Sequence, residues 1–175
     1  PNKFDIALAY SYLCKNKTPA KTGSIPQSFA HTARHDLRSN NSTMQRIIAP
    51  SMLSADFGHL DRDTRMIDKS AAQWVHIDVM DGVFVPNISF GFPVLKFIRQ
   101  ATTKPLDVHL MIVDPEKYVT RFVEAGAGIV TFHYEATLNA KGCIDMIHQA
   151  GAKAGISIKP ATSVEVLRDI LPMLD

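Results

Sequence analysis

The chain has 175 residues, enough for one domain with a real core. Hydrophobic residues make up 46% and charged residues 21%, the proportions of a soluble globular protein, and a net charge of +2 gives no general case for nucleic acid. No apolar run approaches the roughly 18 residues of a membrane span, and two cysteines, Cys14 and Cys143, are too few for a disulfide framework.

Residues 1–43 differ in texture from the rest. Lys3, Lys15, Lys17, Lys21, Arg34 and Arg38 are opposed only by Asp5 and Asp36, and no hydrophobic period persists. The segment reads as a poorly ordered extension, or as sequence lying upstream of the true start, since Met44 is the first methionine. A basic, acid-poor, Ser-containing leader is also the composition of an organellar transit peptide. The expected compartment is therefore the cytoplasm, or an organelle if residues 1–43 serve as such a leader.

From residue 44 the chain becomes a series of strand-then-helix units. The first strand is expected over Arg46–Leu53, followed by a helix over 57–70 capped by Ser54 or Asp56. The second strand is Trp74–Met80. A loop with Gly82, Pro86, Asn87 and Gly91 leads to a helix that opens on Pro93 and ends near Gln100. The third strand is Leu106–Ile112. Asp114 is positioned to cap a helix over 115–125 that stops at Gly126. A strand over Ile129–Glu135, a helix over 139–150 and a strand over Lys153–Lys159 follow. A last helix is expected over 163–171. About five consecutive units with short loops predict a parallel sheet covered by helices, either doubly wound or a (β/α)₈ barrel. Polar residues at successive strand ends favour the barrel. These are Ser51, His76, Asp78, His109, His133 and Glu135.

Two of these strands carry the chemistry. Side chains alternate along a strand, so Val75, Ile77 and Val79 share one face while His76, Asp78 and Met80 share the other. The third strand repeats the pattern: Leu106, Val108 and Leu110 oppose Asp107, His109 and Met111. A buried carboxylate is costly unless it is paired or binds a cation. Two histidines and an aspartate converging from neighbouring strands form a plausible divalent-metal site. Asp107 reads as a structural hydrogen-bonding group. Asp81 either caps the Gly82 turn or touches substrate, Met80 and Met111 are core filler or site walls, and His31, His35, His59 and His148 read as surface residues.

At this point the sequence resembles a known family. The stretch from Ile48 to Phe57, the stretch His76-Ile77-Asp78-Val79-Met80-Asp81-Gly82-Val83-Phe84-Val85-Pro86-Asn87, the segment Leu106–Met111 and the segment Ser157–Thr162 are similar to ordered motifs of ribulose-phosphate 3-epimerases. The resemblance runs from about Met44 to Asp175. It implies a TIM (β/α)₈ barrel of the ribulose-phosphate-binding type, C-terminally incomplete. It also implies an isomerase that inverts C3 of D-ribulose 5-phosphate to give D-xylulose 5-phosphate through an enediolate, in the pentose phosphate pathway and Calvin cycle. Residue by residue, His76, Asp78 and His109 would hold one divalent ion (Zn²⁺, or Fe²⁺, Mn²⁺, Co²⁺). Asp78 would also be one of two acid/base groups. Ser51 and His109 would contact substrate, and Met80 and Met111 would pack around the intermediate. The family's second catalytic Asp and its Gly-rich phosphate loops are expected to be absent from this chain, lying on later strands. A homo-oligomer is implied by resemblance. Two alternatives stand beside this reading: an allulose-6-phosphate 3-epimerase, and a catalytically inactive fragment that only binds metal or a partner.

Overall fold

The computed structural model describes residues 47–175. The expectations placed on residues 1–43 lie outside the described residues. Among the described residues there are four parallel strands: β1 (Val75–Met80), β2 (Leu106–Met111), β3 (Ala127–His133) and β4 (Lys153–Ser157). They are joined by α2 (Phe92–Ala101) between β1 and β2, α3 (Val119–Glu124) between β2 and β3, and α4 (Ala140–Gln149) between β3 and β4, while α1 (Leu60–Asp68) precedes β1.

The sheet order is β1-β2-β3-β4, the order of the chain. A doubly wound sheet reverses its strand order at a switch point. Here every crossover adds the next strand on the same side, which is how a (β/α) barrel is built, and the described residues form part of such a barrel.

The core lies between the sheet and its helices. Val75, Ile77 and Val79 from β1, Leu106, Val108 and Leu110 from β2, and Val130 and Phe132 from β3 belong to one buried cluster. They meet Leu95 and Ile98 of α2, Phe122 of α3, and Ile144 and Ile147 of α4 in that cluster. The residues between them on β1 and β2 are also buried, although they are polar: His76, Asp78, Asp107 and His109. Parallel strands in a barrel are covered on both faces, so the polar set must find its partners inside the protein.

Several expected elements are modified. Arg46, where the expected first strand begins, lies outside the described residues, and residues 47–53 do not make a regular strand. Gln73 and Trp74 donate backbone N–H groups to Ile48 O, His76 donates to Pro50 O, and Ser51 forms one isolated parallel bridge to His76. Pro50 has no N–H to give to a ladder, and a short turn over Met52–Ser54, capped by the Ser51 side chain, ends the pairing at once. The helix expected over 115–125 divides into a 3₁₀ turn, Pro115–Lys117, and α3. Asp114 is not its side-chain cap: the residue sits at φ 50°, and its carboxylate accepts from Lys117 Nζ at 2.7 Å. Such a positive φ is tolerated by Asp better than by most residues. The last expected helix, 163–171, is only a 3₁₀ turn over Val164–Leu167, followed by another over Leu171–Met173. The β-branched Val164 and Val166 and the helix-disfavouring Pro172 leave this segment with poor propensity. Asp56, Asn139 and Ser163 do cap their turns as side-chain acceptors, and Gly126 and Gly151 end α3 and α4 at φ 105° and 94°.

One contact ties α1 to the start of β2. Lys104 Nζ donates to Ile67 O at 2.8 Å and Ser70 O at 2.9 Å, and also to Ala72 O. Ile67 lies in the last turn of α1, and Ser70 and Ala72 lie in the loop that follows it. Lys104→Met keeps the stem and removes the donor. It is expected to cost about 1–3 kcal/mol, read as a lowered urea midpoint with an unchanged slope. A midpoint equal to that of the unsubstituted chain would show that water satisfies these carbonyls equally well.

Candidate metal centre

The register of β1 against β2 assembles the site. His76 is paired with Asp107, Asp78 with His109, and Met80 with Met111. All six are buried, and their side chains face away from the helices.

His76 is held from two sides. Its Nδ1 lies 2.8 Å from Asp107 Oδ2 and its Nε2 lies 3.0 Å from Asp78 Oδ1. His109 Nδ1 lies 3.3 Å from the same Asp78 oxygen. The second Asp78 oxygen accepts a hydrogen bond from Ser51 Oγ at 2.6 Å. Asp78 is fully buried, yet it is surrounded by donors. Burial alone would raise its pKa, but the hydrogen bonds from His109, His76 and Ser51 outweigh this and hold the carboxyl well below the usual range. Burial also works against charge on His76. Its bonds to Asp107 and Asp78 prevail and raise its pKa to about 9.

His76, Asp78 and His109 each offer a ligand atom, and those atoms lie within 4.8 Å of one another. Two imidazoles and a carboxylate form a donor set that suits zinc and similar ions. The Asp107 carboxylate strengthens the fit. It occupies Nδ1 of His76 and leaves Nε2 directed at Asp78, the carboxylate–histidine arrangement that orients metal ligands.

The sequence motifs, the barrel-type strand order and this cluster all lie within one region. Residues 47–175 match the model of the ribulose-phosphate 3 epimerase family. The chain belongs to that family. Among its relatives, the ribulose-phosphate 3-epimerase of Treponema pallidum (strain Nichols) is 50% identical over 128 residues, 73% of this chain and 59% of that protein. The enzyme of that name from Mycobacterium bovis is 48% identical over 134 residues, 77% of this chain and 58% of the relative. That of a Synechocystis strain is 46% identical over 131 residues, 74% of this chain and 57% of the relative. The chain spans less than two thirds of the length of these curated relatives.

Within this epimerase-family site, other sequence-singled residues fall as follows. Asp107 is a buried hydrogen-bonding partner of His76. Asp81 caps the turn at Gly82: its Oδ1 accepts from the backbone of Val83 and Phe84, each at 2.8 Å, and its Oδ2 accepts from Val113 N. Met80 and Met111 lie side by side on the site face rather than in the helix-facing cluster. His133 Nε2 lies 3.0 Å from His109 Nε2, and its ring packs on Phe84 with centroids 4.8 Å apart. Burial and the neighbouring His109 push the His133 pKa down to about 4. Glu135 Oε1 accepts from Lys159 N at 2.7 Å and from Thr162 Oγ1. His59 and His148 are exposed, while His31 and His35 lie outside the described residues.

Ser89 was missed in the sequence. Its Oγ donates to Asp78 O at 2.7 Å and accepts from Met80 N at 2.9 Å, so it fastens the loop after β1 to the strand that carries Asp78. A lone Ser in a loop gives no period or spacing that would reveal this.

Proposed function

We propose that this chain supplies the metal-binding side of a site that inverts C3 of a ketose 5-phosphate, interconverting D-ribulose 5-phosphate and D-xylulose 5-phosphate. The observation that carries the proposal is the convergence of His76, Asp78 and His109, with Asp107 fixing the ring of His76. Membership of the epimerase family and the names of the relatives support the substrate class.

The C3 proton of such a sugar is acidic because a carbonyl is adjacent. A divalent ion held by His76, Asp78 and His109 would act as a Lewis acid toward the negative charge that develops on removal of that proton. Asp78 would take the proton on one face of the sugar, and the resemblance puts the opposing acid on a later strand. Ser51, bonded to Asp78, holds the carboxylate in register and offers its hydroxyl to substrate. Met80 and Met111 form an apolar wall where the flat enediolate would pack. The ring of His76 is kept from rotating by Asp107, so the geometry is organised before substrate arrives. The sister reaction on allulose 6-phosphate uses the same half of the site.

Calorimetric titration with zinc, run together with an assay of C3 proton exchange on both sugar phosphates, tests the reading. Stoichiometric binding that is lost in His76→Ala and His109→Ala, with exchange of the C3 proton of the pentose phosphate, is the expected result, since exchange needs only the proton-abstracting side of the site. Binding without exchange favours a fragment that only holds metal. Absence of binding removes the metal-centre reading.

A further inference from the structure

The site described above leaves two buried polar atoms beside it without a hydrogen-bond partner. They are His133 Nδ1 and Glu135 Oε2, and they lie 3.7 Å apart. On the other side of the same ring, His133 Nε2 meets His109 Nε2 at 3.0 Å. Two imidazole nitrogens at that distance require one to carry the proton and the other to present a lone pair.

Resting on the metal-centre reading, we infer that His133 is a positioning residue for His109, with Glu135 anchoring its far side, and that metal loading sets the direction of the hydrogen bond between the two rings. The argument is one of tautomers. The Nδ1 of His109 is the atom that faces Asp78, and Nε2 faces His133. A metal bound through Nδ1 leaves the proton of His109 on Nε2. That N–H must donate to His133 Nε2, which therefore holds the lone pair. The proton of His133 is then on Nδ1, the atom that looks toward Glu135 Oε2. At 3.7 Å the pair is beyond direct hydrogen-bond distance but within reach of the Glu135 carboxylate charge, which favours a proton on Nδ1. Glu135 itself is fixed through its other oxygen by Lys159 N and Thr162 Oγ1 at the end of β4. The ring of His133 packs against Phe84 at a tilt of 47°, and Lys159 Nζ sits 4.0 Å from the Phe84 ring centroid. The elements after β3 and β4 thus reach the ligand on β2 through a single imidazole.

In the metal-free chain the constraint is different. His109 Nδ1 can then donate to Asp78, leaving Nε2 to accept from His133 Nε2–H. The bond between the rings reverses, and so does the tautomer of His133.

Long-range ¹H–¹⁵N correlation on the full chain labelled with ¹⁵N-histidine, recorded without and with Zn²⁺, reads these protons directly. The expected zinc-loaded pattern has His76 and His109 shifted by coordination and His133 protonated on Nδ1. His133 protonated on Nε2 in the zinc-loaded chain overturns the inference while leaving the metal centre intact. No zinc-induced shift at His76 or His109 overturns the metal-centre reading and this inference with it. The companion measurement is zinc affinity. His133→Leu is expected to weaken it by about 10–100-fold, the usual effect of losing a partner behind a ligand. His133→Gln places an acceptor near the lost Nε2 and is expected to recover most of the affinity. A folded His133→Leu chain with unchanged affinity rejects a positioning role.

Discussion

Asp78→Asn is expected to remove solvent exchange of the C3 proton. With D-ribulose 5-phosphate in D₂O, the unsubstituted chain carrying its metal should wash deuterium into C3, and the variant should do so about 10²–10⁴-fold more slowly, the range assigned to a positioned acid/base group. The substitution changes almost no volume. It does turn one of the two acceptor oxygens shared among Ser51, His76 and His109 into a donor amide, and removes a carboxylate charge that, after Asp107, raises the His76 pKa. Zinc affinity should therefore fall as well, so the exchange measurement is made at saturating metal. Exchange at the unsubstituted rate under those conditions would take Asp78 out of the proton path and leave it only as a ligand.

Phe132→Ala carries the largest expected stability effect. Phe132 is fully buried on the helix-facing side of β3, in register with Leu110 of β2 and Ile156 of β4. Truncation removes the transfer free energy of the ring and leaves a cavity that parallel strands cannot collapse around, a loss of about 3–5 kcal/mol. Set against the 5–15 kcal/mol stability typical of a folded domain, that is a large fraction. The change should appear as a lowered urea midpoint. The metal ligands lie on the other face of the neighbouring strands, so zinc affinity of the still-folded variant should be little altered. A loss under about 1 kcal/mol would mean that the core around Phe132 repacks freely.

The alternation in Trp74–Met80 and Leu106–Ile112 made most of the site legible in the sequence. A period of two assigns faces without knowledge of the partner strand, and His76, Asp78 and His109 indeed share one. Register was not legible, because it depends on crossover geometry. It is register that puts Asp107 beside His76 rather than beside another residue. The same limit hid Ser89, whose value lies in a contact with the backbone of Asp78 made across a loop. Among the elements, strands β1 to β4 were readable as short stretches with β-branched and other apolar residues bounded by turn signals. Residues 47–53 were not, since their hydrophobic content resembled a strand while Pro50 and the Ser51-capped turn broke the ladder. The expected last helix failed for the opposite reason. Its leucines and isoleucine suited a helix, but two valines and Pro172 reduced it to isolated turns.

Strands that follow one another in the chain are also neighbours in the sheet, and this bears on what the buried carboxylate costs. His76 and Asp78 are on one strand, His109 and Asp107 are on the next, and only α2 and its loops intervene. Closing that single crossover brings all four side chains together. The segment closed spans 31 residues from His76 to Asp107, and the entropy lost in closing it grows only slowly with its length. One crossover therefore both buries the Asp78 carboxylate and supplies the two imidazoles that satisfy it, so no separate contact has to be ordered to offset its desolvation.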